Sequence, residues 1–138
     1  MATWELILWI IWQLPQCLVG ALMYPFMKNK KLVRYDNYVW YFEASNMSGA
    51  ISLGCFVYLS PIQAKHEATI RHEMGHTVQS KLLSWTYLLV IGVPSILWAW
   101  LGSDDKCYYS FYTESWANKI AKLDLRYYNG KCYPIIVE

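Results

Sequence analysis

Charged residues are scarce in this chain, and that scarcity limits which partners it can bind. Only 16% of the 138 residues are charged, against about 25% in an average soluble domain, and the net charge is +2. So small a charge argues against nucleic acid as a partner. The sequence has no internal repeat, low-complexity stretch or interdomain linker, which predicts a single domain over residues 1–138.

Residues that bind transition metals are also few, and they are concentrated in one place. None of the four cysteines has C-x-x-C spacing, so a cysteine–zinc site is not predicted. Two of the three histidines lie in one pentapeptide, His72-Glu73-Met74-Gly75-His76. On a helix, an H-E-x-x-H sequence turns both imidazoles toward one ion and leaves the glutamate beside it. This arrangement is typical of zinc hydrolases that cut peptide bonds.

The residues around the pentapeptide favour a helix. Residues 64–81 contain no proline and a single glycine. His66, the third histidine, falls six positions before His72 and therefore on a different face. A catalytic zinc site needs a third protein ligand. The downstream acidic candidates are Asp104 and Asp105, which predict a solvated turn, and Glu114 and Asp124.

Glu114 begins a pattern that predicts a second ligand helix. Glu114, Ala117, Asn118 and Ala121 fall at i, i+3, i+4 and i+7, which is one helical stripe. The small alanines would let this helix approach the histidine helix closely. Asn118, one turn beyond Glu114, is placed to hydrogen-bond a ligand histidine.

H-E-x-x-H followed by E-x-x-A-[DN]-x-x-A resembles the gluzincin metallopeptidases, and especially the Ste24-like membrane peptidases. The resemblance implies that His72, His76 and Glu114 bind Zn²⁺ and that Glu73 is the catalytic base. Asn118 occupies the position where these peptidases usually have aspartate. The resemblance further implies an enzyme that acts on peptides or proteins.

A second, broader resemblance covers residues 49–95, which are similar to small bacterial metallopeptidase-like proteins. Together the two resemblances imply a zinc-dependent endopeptidase, in which zinc activates a water and Glu73 removes its proton. A donor to the developing oxyanion is also expected. The candidates are Tyr108, Tyr109, Tyr112 and His66.

Two other functions remain open from the sequence. One is a membrane-embedded site-2-type protease with Asp124 as third ligand, although Leu125 replaces the glycine usual after that aspartate. The other is a non-enzymatic membrane protein with a decayed zinc site.

The composition predicts contact with membrane lipid. Hydrophobic residues make up 56% of the chain, with eight Trp and twelve Tyr, and such rings favour membrane interfaces. Residues 6–27 and 82–101 carry no charge, and each is long enough to span a bilayer. The basic residues at positions 28, 30, 31 and 34 place that end on the cytoplasmic side. We therefore expect a bacterial inner-membrane protein with its site near the cytoplasmic face and an apolar N-terminal helix within residues 1–27.

The second apolar segment cannot be one straight helix if Glu114 is a ligand. At 1.5 Å per residue, a straight antiparallel return would leave Glu114 roughly 20 Å short of the histidines. The sequence Gly92-Val93-Pro94-Ser95 contains residues that interrupt a helix. The sequence therefore predicts a bend there and two short helices, with the metal-binding helices lying within residues 64–123.

Between the two apolar segments the pattern favours strands. Residues 32–42 and 51–59 are rich in β-branched and aromatic residues, and the cluster at 45–49 reads as a turn. This predicts a β-hairpin over 32–59 and an α+β, mainly helical fold. By the gluzincin resemblance, Ile51, Ser52, Leu53 and Gly54 would bind substrate backbone as an edge strand. A purely structural hairpin fits the same pattern equally well.

Overall fold

The computed structural model describes residues 3–101, 108–128 and 131–136. These residues form a mixed α+β fold, which confirms the predicted class. The helices are α1 (Thr3–Trp12), α2 (Leu14–Met23), α3 (Glu67–Leu83), α4 (Val93–Leu101) and α5 (Tyr112–Ile120). The strands are β1 (Lys31–Asp36), β2 (Val39–Glu43), β3 (Ala50–Leu53), β4 (Phe56–Leu59), β5 (Leu123–Tyr128) and β6 (Lys131–Ile136).

The single apolar helix predicted within residues 1–27 is wrong. Two helical segments meet there at 99°. Pro15 lies in the first turn of α2, where its missing amide hydrogen costs nothing but the preceding helix cannot continue. Gln13 and Gln16 are fully buried, and both bond the Ser80 hydroxyl of α3. The two amides therefore fold the N-terminal segment back onto α3.

The predicted hairpin over 32–59 is also wrong, because each of its two arms is itself a hairpin. β1 pairs antiparallel with β2, and β3 pairs antiparallel with β4. The two hairpins join through a parallel pairing of β2 with β4, giving the strand order β1-β2-β4-β3. Residues 45–49, predicted as the hairpin turn, instead belong to the connection from β2 to β3.

The true turns lie at positions with left-handed backbone. Asn37 and Tyr38 have φ values of 49° and 64° between β1 and β2, the pattern of a tight hairpin turn. Gly54, with φ of 65°, plays the same part between β3 and β4. A Cβ on Gly54 would lie 2.5 Å from Cys17 Sγ, so this glycine packs against α2.

The second apolar segment bends as predicted, but at a different place. Residues 67–86 and 88–101 meet at 119°, and the break lies at Tyr87. The helix α3 ends at Leu83, and Ser84, with φ of 53°, begins a short 3-10 turn. At the predicted breaker the chain stays helical, since a π-helical turn over residues 88–92 runs directly into α4.

The two bends divide both apolar segments into shorter helices. Within the described ranges, no single helix is both long enough and apolar enough to span a bilayer. Two helix pairs, residues 3–26 and 67–101, pass the same criteria only when each bent pair is taken together.

The core lies between the four-stranded sheet and α3, and it holds α3 against the sheet. Its buried members include Val39, Tyr41, Val57 and Leu59 from the sheet and Ile70 from α3. On another side α3 packs against α5, and β5 and β6 follow as a separate two-stranded sheet that the sequence did not predict.

Candidate metal centre

The helix α3 places the residues of the pentapeptide together and buries them. His72 and His76 lie one turn apart on one face, with ring centroids 4.8 Å apart and ring planes at 89°. Both are nearly inaccessible to solvent, as is Glu73 between them. The predicted geometry of the H-E-x-x-H helix is therefore present.

The helix α5 brings Glu114 to the two histidines. Its Oε1 atom lies 3.0 Å from His72 Nε2 and 3.1 Å from His76 Nε2. The ligand atoms of the three residues all lie within 4.8 Å of one another. The bend after α3 thus lets the chain return Glu114 to the histidines within the 38 positions that separate it from His76.

These three residues fit a transition-metal ion. Zinc with bonds of about 2.0–2.1 Å and tetrahedral angles places its ligand atoms about 3.3 Å apart, close to the separations from Glu114 to each histidine. Two imidazole nitrogens and a carboxylate oxygen are also a donor set that suits zinc. The buried cluster could therefore hold a metal ion.

Each candidate ligand is fixed by a bond to the atom that faces away from the cluster. His72 Nδ1–H donates to Asn118 Oδ1 at 2.6 Å, as the sequence predicted for Asn118. This bond leaves Nε2 of His72 as the atom with a free lone pair for a metal. Among the described residues, Asn118 Nδ2 has no hydrogen-bond partner.

Gln79 plays the same part for His76, and sequence reasoning missed it. His76 Nδ1–H donates to Gln79 Oε1 at 2.7 Å, and Gln79 Nε2 donates to the Thr113 carbonyl at 3.0 Å. The signal was available, because 72, 76 and 79 follow the i, i+4, i+7 stripe of one helix face.

The second oxygen of Glu114 is fixed by two hydroxyls that were also missed. Ser95 Oγ and Thr113 Oγ1 each lie 2.9 Å from Glu114 Oε2, and each donates to it. Ser95 comes from α4, so that helix contributes to the site as well. No sequence motif marks either residue, since their place depends on how α4 returns after the bend.

The electrostatics of the metal-free cluster follow from burial and pairing. Burial acts to lower the pKa of His76, but the hydrogen bond and charge of Glu114 outweigh it and raise the pKa to about 9. Burial acts to raise the pKa of Glu114, yet the two histidines hold it far below its ordinary value. Burial raises the pKa of the Glu73 carboxyl, partly offset by the nearby histidines.

The cluster forms part of the wall of a cavity of about 700 Å³. Glu73 faces the same cavity, as do residues 50–53 of β3 and the rings of Tyr87, Tyr108 and Tyr109. The rest of the lining is mainly apolar, from α2 and α4. Such a cavity, largely apolar with a few convergent polar groups, is the usual form of a substrate site.

The strand β3 is an edge of the four-stranded sheet and faces the cavity. The Gly49 carbonyl accepts from the Ser60 amide, so it points toward β4. Because backbone groups alternate along a strand, those of Ala50 and Ser52 point away from β4. The Ser52 carbonyl accepts from the Tyr87 hydroxyl at 3.0 Å, so Ala50 is left as the position for further pairing.

Of the four predicted substrate-binding residues, Ile51, Ser52 and Leu53 line the cavity. Gly54 does not, because it forms the turn against Cys17 described above. The prediction that Gly54 contacts substrate is therefore not supported, because its close backbone contact is made with α2.

The candidate oxyanion donors separate clearly. Tyr108 and Tyr109 line the cavity, and the Tyr109 ring packs edge-on against His72 at a centroid distance of 5.0 Å. The Tyr112 hydroxyl instead donates to the Val90 carbonyl, and His66 is exposed at the start of α3. Only the first two therefore remain as donors.

Asp124, the alternative third ligand, does not belong to the cluster. Asp124 is exposed on β5, and its carboxylate accepts from the Leu125 amide. Asp104 and Asp105 lie outside the described residues.

Comparison with known proteins adds nothing to this geometry. The chain matches no protein-family model, no curated protein and no solved structure.

Proposed function

We propose that this protein is a zinc-dependent endopeptidase of the gluzincin type. The observation that carries the proposal is the convergence of His72 Nε2, His76 Nε2 and Glu114 Oε1 in one cavity wall, with Glu73 beside them. Histidine, histidine and glutamate are the ligands of known zinc peptidases, and the glutamate of H-E-x-x-H is their base.

The ion would be held by His72, His76 and Glu114. Zn²⁺ at such a site supplies a Lewis acid that lowers the pKa of water and polarises a carbonyl oxygen. Glu73 accepts the proton of the attacking water and then returns it to the leaving amine. Glu73 is buried beside the cluster and lines the same cavity, so its carboxylate is placed to take that proton out of contact with bulk water.

Other side chains of the cavity have defined parts in the proposal. The Tyr109 ring packs against His72 and lines the cavity, so its hydroxyl is the donor that we assign to the oxyanion that forms as the carbonyl is attacked. The outward backbone groups of Ala50 on β3 pair with an extended substrate. The hydrogen bonds from His72 to Asn118 and from His76 to Gln79 hold the imidazoles in orientation.

The decisive experiment compares Glu73→Gln with Glu67→Gln, a matched change on an exposed residue of the same helix. Both variants should retain about one zinc per chain, as a single three-ligand site implies. Glu73→Gln should lose at least about 10²-fold in hydrolysis of a fluorogenic peptide mixture, because glutamine cannot accept the proton. Glu67→Gln should cleave as the parent does.

Two results would overturn the proposal. One is a parent protein that is loaded with zinc and cleaves no peptide, which would favour the non-enzymatic alternative. The other is a Glu73→Gln variant as active as the parent. Zinc content after Glu114→Ala and Asp124→Ala tests the site-2-type alternative, since only the first change should remove the ion.

A further inference from the structure

Exposed apolar side chains are concentrated in two parts of the fold. Eleven of the strongly exposed large apolar residues come from positions 4–26 and nine from 82–101, against six from the rest of the described chain. We call these twenty side chains the apolar face. Its most exposed members are Trp4, Leu22, Phe26, Leu82, Leu89, Trp100 and Leu101.

The segments that carry the apolar face lie against one another. Trp12 Nε1 donates to the Lys81 carbonyl at 2.7 Å, and Trp85 Nε1 donates to the Ile11 carbonyl at 3.0 Å, which ties α1 to the end of α3. Val19 of α2 and Ile96 of α4 are both exposed, and both line the cavity beside the metal cluster. These two helices therefore flank the mouth of that cavity.

The polar groups of these segments are turned inward. Gln13 and Gln16, which interrupt the apolar sequence of residues 6–27, are buried and bonded to Ser80. The two indole N–H groups named above are bonded to backbone carbonyls. Glu5 is the one charged residue in positions 4–26 and 82–101, and its carboxylate accepts from the Tyr38 hydroxyl. What faces outward is therefore almost purely apolar.

This chemistry fits lipid better than a protein partner. Protein interfaces keep a substantial polar fraction, and even homodimer interfaces are only about 65% apolar. Basic residues adjoin the apolar face, with Lys28, Lys30 and Lys31 directly after the helical segment that ends at Phe26. Cations next to an apolar surface match the anionic headgroups that border the hydrocarbon of a bilayer.

The helix lengths limit how deep the contact goes. The helical runs over residues 3–12, 14–26 and 88–101 are each no longer than about 21 Å, against a hydrocarbon core of about 30 Å. The bends of 99° and 119° turn each helix pair back before it reaches that thickness. We propose that the protein lies in one leaflet of a membrane, held there by its apolar face. Neither apolar segment crosses to the far side of the bilayer.

The test uses the full chain added to preformed vesicles of phosphatidylcholine and phosphatidylglycerol, 3:1, with binding measured by flotation. The parent should float with the vesicles in the presence or absence of zinc, because the contact does not involve the metal centre. Leu22→Lys and Trp100→Lys should each reduce the bound fraction by about tenfold or more, since lysine in hydrocarbon is strongly disfavoured. Both positions are exposed, so thermal melting should be unchanged.

Tyr127→Lys and Ile62→Lys are the matched controls, because both residues are as exposed as Leu22 but lie outside the apolar face. They should bind vesicles as the parent does. A parent that stays unbound would overturn the proposal, as would equal losses in the controls. A soluble dimer that Leu22→Lys converts to monomer would show that a second copy covers the face instead.

Topology is tested with an amine-reactive reagent that cannot cross the bilayer. Lys65 precedes the second apolar segment and Lys119 follows it, and both are exposed, so a crossing would place them on opposite sides of the bilayer. In one leaflet both should be labelled from outside to the same extent. Protection of either lysine until the vesicles are lysed would overturn the single-leaflet arrangement.

Discussion

Gly75 of the H-E-x-x-H helix lies against the backbone carbonyl of Ala117 on the Glu114 helix. A Cβ atom on Gly75 would overlap the Ala117 carbonyl oxygen, and the carbonyl carbon would lie 2.8 Å away. Backbone of one ligand helix therefore meets backbone of the other with no side chain between them. This contact is what lets Glu114 reach two histidines on a neighbouring helix.

Gly75→Ala should weaken zinc binding although it changes none of the three ligand residues. The methyl group would push α5 away from α3 and carry Glu114 out of reach of the histidines. Overpacking of this kind costs roughly 1–3 kcal/mol of folding free energy. Zinc affinity, measured by competition with a chelator, should fall by at least about tenfold, within the 10–100-fold range seen when support around a metal site is lost.

Gly49→Ala is the control, because a Cβ on Gly49 would meet no atom within 4 Å. Its zinc affinity should match that of the parent. An unchanged affinity in Gly75→Ala would mean that the two helices are not held at contact distance by this glycine.

Zinc binding should release about one proton per chain at pH 7.5. The pKa of His76 is raised to about 9 in the metal-free site, so the imidazole is protonated there and must lose its proton to bind. A histidine with an ordinary pKa of about 6.5 would release only about a tenth of a proton. Calorimetry of zinc binding in two buffers of different ionisation enthalpy measures the number directly.

The same shift sets how the metal-free protein responds to pH. A pKa raised from 6.5 to about 9 stabilises the fold fully below pH 6.5, and this contribution is lost as the pH rises through 9. Melting temperature without zinc should therefore fall between pH 6.5 and 9, whereas zinc affinity rises over that range. His76→Gln should remove the fall in melting temperature, and a metal-free parent that gains stability over this range would contradict the prediction.

Asn118 should strengthen zinc binding through its hydrogen bond with His72. Asn118→Leu removes the acceptor for His72 Nδ1–H, and zinc affinity should drop by about 10–100-fold. Asn118→Asp keeps the acceptor and adds a negative charge, so its affinity should equal or exceed that of the parent. If the leucine variant binds zinc as well as the aspartate variant, the hydrogen bond does not orient the ligand.

Ser95→Ala should weaken zinc binding, because it removes a hydrogen bond to the Glu114 carboxylate. Losing one of two hydroxyl donors to Oε2 costs about 1–3 kcal/mol for a bond to a charged acceptor, which corresponds to about a 5- to 150-fold loss of zinc affinity. Ser115→Ala, on an exposed residue of α5, is the matched control and should change nothing. Equal affinities for the two variants would show that α4 does not support the site.

The candidate site was predictable where its geometry is local. His72, His76 and the Glu114–Asn118 stripe are each set by helical periodicity, which can be read from spacing alone. Ser95 and Thr113 could not be found in this way, because their contact with Glu114 depends on a bend that brings distant segments together. Gln79 lies between these cases, since its position on the stripe was readable although its partner was not.

The fold departed from expectation where long-range contacts override local signals. Gly92 and Pro94 are strong breakers, yet the chain turns at Ser84 to Tyr87, where packing favours a positive φ without glycine. Likewise, the parallel pairing of β2 with β4 joins two hairpins, and no turn signal encodes such a pairing. Gln13 and Gln16 looked like weak points of an apolar helix, but their partner Ser80 lies 64 or more positions away.

His76 and Glu114 are 38 positions apart, so an ion bound to both would affect how long the protein survives in the cell. An ion held by both residues would act as a reversible cross-link that closes this long loop, much as a disulfide would. Opening the loop would then require the ion to leave, so a protease in the cell would meet the cleavable form less often when zinc is plentiful. Abundance of the protein would in that way follow the supply of its metal.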